Sequence, residues 1–234
     1  MIGPLLLGGA LFVAAGTPQQ AELPTHEVLE VSKWESVSTR SHDDGGDIEV
    51  SKTEVAGVAC YRGVLKTQLK SEVMLEVISD VTGAREWASV DIPEAALLSR
   101  KGTRLDYYQY LDVPGWTFSS DRFWFLYADI EQKGQDIAFR WDRLVEGGEH
   151  RATFERVKEN HPSAIEPPIN VGGWYFVQEG KQTRVTYAIC SDVGGSVPMA
   201  LQKFGTQQTL PDTMGDMIRE ARRRSLKGKT KSEG

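Results

Sequence analysis

The chain has 234 residues, a hydrophobic content of 40% and a formal charge of −6 at pH 7. Those values permit a real core and exclude an intrinsically disordered polypeptide. The acidic balance also excludes the basic footprint of a nucleic-acid binder, and the length fits one domain with or without a targeting segment.

Residues 1–21 differ from everything after them. Leu5 to Ala15 is an uncharged run of Leu, Gly, Ala, Phe and Val, closing on Ala14, Ala15 and Gly16. A bilayer span needs about 20 apolar residues, so this run is too short for one; its form is that of a secretory signal with a small-residue cleavage site. No Lys or Arg precedes it, which keeps a cytoplasmic protein as the competing reading. The expectation is a signal peptide over 1–21 and export to the periplasm or the exterior.

Strand-like alternation begins at Lys33–Arg40 and Asp47–Val55, which flank the turn Ser41-His42-Asp43-Asp44-Gly45-Gly46, and continues through Val58–Leu69. The period then changes. Ser71 suits an N-cap, and Val73, Met74, Val77, Ile78 and Val81 recur at helical spacing. Arg85-Glu86-Trp87 closes this region before Pro93. Strands are predicted at Thr103–Val113, Asp121–Gln132, Gln135–Val145 and Arg151–Lys158, and the prolines at 162, 167 and 168 mark Asn160–Asn170 as a loop. A hairpin follows, with WYFVQ and RVTYAIC joined at Glu179-Gly180-Lys181. Asp192 to Ser196 breaks the second strand, and Pro198 opens a helix at a position where its missing N–H costs nothing. Leu210, Met214, Met217, Ile218 and Ala221 make one apolar face of that helix, which Pro211 either kinks or restarts.

The total is nine strands, a helix after the third and a long helix at the end. Hairpin-length connections imply an antiparallel sheet in an α+β fold, and a sheet of this size curls so that the last helix can fill its hollow. Beyond Arg219 lie Arg222, Arg223, Arg224, Lys227, Lys229 and Lys231, against only Glu220 and Glu233. That run reads as a solvated tail, or as an electrostatic contact with anionic lipid worth up to ~1 kcal/mol per basic residue.

Signals for catalysis are sparse. His26, His42, His150 and His161 have no metal-ligand spacing, and no nucleophile or phosphate-binding motif is present. No catalytic residue, metal or cofactor is expected. Apolar excess is more informative: along Asp121–Gln132, Arg122, Trp124, Leu126 and Ala128 share one face, and Phe123, Phe125 and Tyr127 the other. A strand apolar on both faces is covered twice, or one face lines a cavity or meets a partner. Cys60 and Cys190, the only cysteines, are either buried thiols or, after export, disulfide partners.

Four motifs in order carry a resemblance: Arg85-Glu86-Trp87; Tyr107-Tyr108-Gln109-Tyr110 leading to Pro114; Ser120-Asp121-Arg122; and Gly172-Gly173-Trp174 through Thr183-Arg184-Val185-Thr186-Tyr187 to Asp192–Pro198. From about Trp34 to Ala221 the chain resembles the START family, the lipid-transfer domains named after the steroidogenic acute regulatory protein. It departs where family members often carry Asp after the arginine, since Phe123 follows Arg122 here. The resemblance implies a helix-grip fold, in which a curved nine-stranded antiparallel sheet wraps a long C-terminal helix around an internal hydrophobic cavity. It implies a lipid-binding domain over 25–226 and a flexible basic tail over 227–234. Arg122 would face inward as the polar anchor, paired with a carboxylate or meeting a ligand. Tyr108, Tyr110, Trp124, Leu126, Phe139, Trp141, Trp174 and Phe176 would line the cavity, with Met199, Met214 and Met217 on the helix. Gly194, Gly195 and Pro198 would permit gating, and Trp116 and Phe118 would suit membrane docking. The third and ninth strands are neighbours in that topology, which places Cys60 near Cys190. The expected function is that of a monomeric, non-enzymatic carrier of one lipid with transient membrane contact. The alternative is a cyclase or aromatase acting on a hydrophobic substrate in the same cavity.

Overall fold

The computed structural model describes residues 25–31, 33–113, 119–192, 194 and 199–232, with side chains given except at 27, 28, 31, 199–208 and 228–232. The segment 1–21, Trp116, Phe118, Gly195, Pro198 and the Met199 side chain lie outside the described residues.

A short helix, α1 (His26–Val31), precedes a meander of three strands, β1 (Glu35–His42), β2 (Gly46–Val55) and β3 (Val58–Thr67). The β2–β3 connection is a two-residue turn at Ala56 and Gly57, both at positive φ, which matches the right-handed twist of the flanking strands. The chain then forms α2 (Ser71–Ser79) and α3 (Ala84–Trp87). Ser71 makes no cap bond; its hydroxyl is buried without a partner, and the helix is held by burial of Met74, Val77 and Ile78. The remaining strands are β4 (Glu94–Lys101), β5 (Arg104–Leu111), β6 (Arg122–Lys133), β7 (Asp136–Arg143), β8 (Ile169–Glu179) and β9 (Gln182–Asp192), with α4 (Arg151–Asn160) between β7 and β8. The last element is α5 (Met199–Ser232).

The nine strands form one antiparallel sheet in the order β1-β2-β3-β9-β8-β7-β6-β5-β4. Two assignments from the sequence are corrected. Arg151–Lys158 is helix rather than strand, because Phe154 and Val157, three apart, both bury against the sheet. Glu94–Lys101 is the edge strand β4, although its Ala- and Leu-rich sequence carries no β-branched residue.

Side chains from β2, β3, β5, β6, β7, β8 and β9 join Met74, Val77, Leu210, Met214, Met217, Ile218 and Ala221 in one apolar cluster, so the sheet wraps α5 and α2 on its concave face. The convex face carries two smaller clusters. Phe154 and Val157 of α4 cover Tyr108, Tyr110, Phe123 and Phe125, and Leu29 of α1 covers Cys60, Val171 and Cys190. Cys60 and Cys190 stand directly opposite in the β3–β9 ladder, with Cα atoms 4.1 Å apart, and form a disulfide.

Helix α5 passes through Pro211 unbroken and forgoes only the hydrogen bond that residue 211 would donate. It also extends to Ser232. Its arginines are engaged rather than free. Arg219 pairs with Asp216 at 2.5 Å, Arg223 with Glu220 at 2.5 Å, Arg224 with Glu220 and Asp80 at 2.7 Å, and Arg222 with Asp44 at 3.6 Å.

Candidate functional site

The concave face has two ends with different packing. At the end closed by α2, Leu65, Ile137, Phe176 and Val185 occupy one row across β3, β7, β8 and β9, each at most 3% exposed. Met214 and Leu210 lie over β3, where a Cβ on Gly63 would collide with Met214 Sδ and Leu210 Cδ2. The opposite end, where β5 and β9 finish and β6 begins, is looser. There Ala59, Gln109, Leu111, Trp124, Tyr187 and Ile189 remain partly accessible, although they sit on the inner face. The first ten residues of α5 extend the helix by about 15 Å on the N-terminal side of Leu210.

Aromatic rings dominate the wall. Tyr187 stacks on Trp141 with centroids 5.7 Å apart and meets Trp174 at 4.3 Å, and Trp174 stacks on Phe176 at 6.4 Å. Trp141 is oriented by its indole N–H, which donates to the Asn170 side-chain Oδ1 at 2.9 Å. Gly172 leaves the gap into which that indole leans, since a Cβ there would collide with it. Burial pushes the Tyr107 phenol well above its ordinary value, and the nearby Tyr187 adds to that; burial alone pushes Tyr187 up.

Of the residues singled out from sequence, Leu126, Phe139, Trp141, Trp174, Phe176, Met214 and Met217 belong to the concave cluster, with Trp124 packed against it. Met214 and Met217 are fully buried in its packed half. Tyr108 and Tyr110 are corrected: they lie on the convex face under α4. The β5–β6 register places Tyr107 opposite Leu126 and Tyr108 opposite Phe125, so Tyr107 is the inward tyrosine. The Tyr108 hydroxyl donates to Glu94 at 2.9 Å and that of Tyr110 to Asp121 at 2.5 Å; burial first, then these carboxylates, raise both phenols.

Arg122 is 4% exposed at the loop end. Its guanidinium donates to the Gly194 carbonyl and the Ser119 hydroxyl at 3.2 Å each, to the Asp121 carbonyl at 3.3 Å and to the Ser120 carbonyl. Burial pulls its pKa down, and Asp121 opposes that. Arg122 thus fastens the loop before β6 to the exit of β9. Gly194, at φ 66°, packs on Ile165, Pro167 and Pro168, and Ile165 bridges to Arg122 through backbone bonds to Asp121 and Phe123.

The sequence reading missed a second arginine at this rim. Arg143 pairs with Glu166 at 3.0 Å and donates to the Pro168 carbonyl, while its Nε and Glu166 Oε1 are buried without partners among the described residues. Burial raises the Glu166 carboxyl against the pull of Arg143. Arg143 was legible as the inward continuation of Ile137, Phe139 and Trp141 at period two. Elsewhere, a polar cleft of about 330 Å³ lies among Thr82, Arg85, Glu86, Asp91, Ile92 and Pro93. On the convex side Asp106, Glu149 and His150 converge within 4.8 Å. Those carboxylates are already engaged by Ser99, Arg104 and Lys101.

No family model and no curated protein sequence matches the chain. Solved structures do. A STAR-related lipid transfer protein from Xanthomonas axonopodis superposes with a TM-score of 0.65 at 22% identity, over 82% of this chain and 99% of that one. Human STARD10 gives 0.67 at 13% identity over 93% and 88%, and human StAR-related lipid transfer protein 5 gives 0.67 at 13% over 85% and 93%. The Zhui aromatase/cyclase from Streptomyces gives 0.52 at 12% identity over 72% and 96%. The fold is therefore shared by lipid-transfer proteins and an enzyme. The curved nine-stranded sheet closed on a C-terminal helix is a START-like helix-grip fold.

Proposed function

We propose that this protein binds one hydrophobic lipid between the loop end of the sheet and the first turns of α5, and transfers it between membranes without chemistry. The observation that carries this reading is the contrast in packing. An aromatic inner wall is close-packed at one end and keeps accessible surface at the other. Ligand sites are concave, mostly apolar and furnished with a few polar groups. Burying a lipid there contributes about 25 cal/mol per Å² of apolar surface, so affinity needs no reaction. Opening would begin where Arg122 holds Gly194, followed by Gly195 and Pro198. The names of two of the structural neighbours, as lipid transfer proteins, support the same direction.

The apolar run Leu5–Ala15 and the Cys60–Cys190 disulfide support export, since disulfides persist in oxidising compartments. The carrier would act as a monomer with passing membrane contact. Fold kinship with an aromatase/cyclase supports the second reading, in which the same hollow folds a reactive chain. Mass spectrometry of organic extracts from protein purified out of its own host tests the first reading. A stoichiometric lipid, recovered unchanged and taken up again from labelled vesicles, is the expected result. Recovery of no lipid and no uptake would overturn it, and recovery of a cyclised product would favour the enzyme.

A further inference from the structure

Resting on the lipid-binding reading, we infer that Tyr107, Trp124 and Tyr187 form a recognition subsite for an uncharged oxygen acceptor. The ligand is then a neutral oxygenated lipid, a ketone, ester or alcohol, rather than a phospholipid or a fatty-acid anion.

Trp124 Nε1 is buried with no hydrogen-bond partner among the described residues. Indole can only donate, so the missing partner must offer a lone pair. Tyr107 lies on the neighbouring strand, diagonal to Trp124 on the same face, because Tyr107 stands opposite Leu126 and Gln109 opposite Trp124. It is 5% exposed, and its hydroxyl makes no hydrogen bond among the described residues. Tyr187 projects from β9 on the same concave surface, clamped between the Trp141 and Trp174 rings, and its hydroxyl is likewise unbonded among the described residues. Tyr187 keeps accessible surface, and burial raises its phenol. Burial raises the Tyr107 phenol first, and the nearby Tyr187 adds to that.

Charge at this end is already committed. Arg122 donates to carbonyls and Ser119, and Arg143 is neutralised by Glu166. Arg143 keeps an unpartnered Nε among the described residues, but its charge is offset by Glu166, so an anionic headgroup there would meet a carboxylate as well. A pure hydrocarbon would leave the Trp124 N–H and both phenols unpaired, which buried polar groups do not tolerate without cost. A neutral acceptor on an apolar body satisfies both constraints.

The test uses the full chain and three fluorescent probes delivered from phosphatidylcholine vesicles: laurdan (a ketone on an apolar body), diphenylhexatriene (a hydrocarbon) and cis-parinarate (an anion). Wild-type protein is expected to bind laurdan most tightly. The double variant Tyr107→Phe/Tyr187→Phe is expected to lose about tenfold in laurdan affinity and to retain diphenylhexatriene, which also reports that the hollow is intact. Trp124→Phe gives a second, independent loss of laurdan alone. Laurdan binding unchanged in all variants, or cis-parinarate binding tightest, overturns the subsite while leaving lipid binding in place. Uptake of none of the three probes by wild type overturns lipid binding and the subsite with it.

Discussion

The α2 end and the loop end of the concave face belong to one sheet and share strands β3 and β9, yet they are different materials. At the α2 end the centre of the sheet is close-packed, and Leu65, Phe176, Val185, Met214 and Met217 are 2% exposed or less. At the loop end the wall is equally aromatic but less filled, and the polar groups are bound to backbone or left unpaired. Hydrophobicity alone does not separate a core from a binding surface. What separates them is whether the facing element supplies partners.

The largest effect should come from breaking the packed end. Phe176→Ala is expected to cost about 3–5 kcal/mol in chemical denaturation. Trp124→Ala, a larger truncation at the loop end, is expected to cost under about 2 kcal/mol, because less of its surface is held by protein. Equal losses would mean that the two ends are equally packed. An intermediate effect is expected at the rim. Arg122→Met keeps the stem and removes the bonds to Gly194 and Ser119, so exchange of bound lipid should quicken about tenfold. Amide exchange near Gly194 should rise with it, while the denaturation midpoint moves little.

The legible part of this contrast was its composition, and the illegible part was its register. The aromatic and β-branched runs marked most strands, and the spacing of Leu210, Met214, Met217 and Ile218 marked the buried face of α5. Tyr107 and Tyr108 are both bulky and adjacent, however, and only pairing with β6 decides which one points inward. The connection between β5 and β6 is too long to fix that register as a tight hairpin would, and a slip by one residue exchanges the faces. The strand count of nine came from two errors that offset each other. A helix with only Phe154 and Val157 on its apolar face resembles alternation over so short a length, and the edge strand β4 needs little β-propensity once β5 offers it a ladder. The role of Arg122 was not legible either, because its partners are mostly backbone carbonyls, which carry no sequence signature.

The smallest effect is a pH dependence at the packed end. Hydrogen bonds from Arg223, and then Arg224, hold the Glu220 carboxyl down to about 2 against the opposing pull of burial. Its folded-state value is below the unfolded one, so its contribution is fully present above about pH 4.5 and is lost as pH falls toward about 2. Glu220→Gln should flatten the acid-unfolding curve in that window and leave lipid affinity at pH 7 unchanged. A curve of unaltered slope would remove Glu220 from the account of why this end is firm.

The strand order has a consequence for assembly. Strand β3 has β9 as its neighbour, and the disulfide between them joins residues separated by 130 positions in sequence. The first three strands to leave the ribosome therefore carry an unpaired edge until nearly the whole domain has been made. Their docking is the most non-local step in the fold, and such contacts form slowly. The Cys60–Cys190 bond closes after that docking, when the cysteines first stand opposite. It records that the two halves of the sheet have met in the correct register, and an oxidised protein is one whose last strand has arrived.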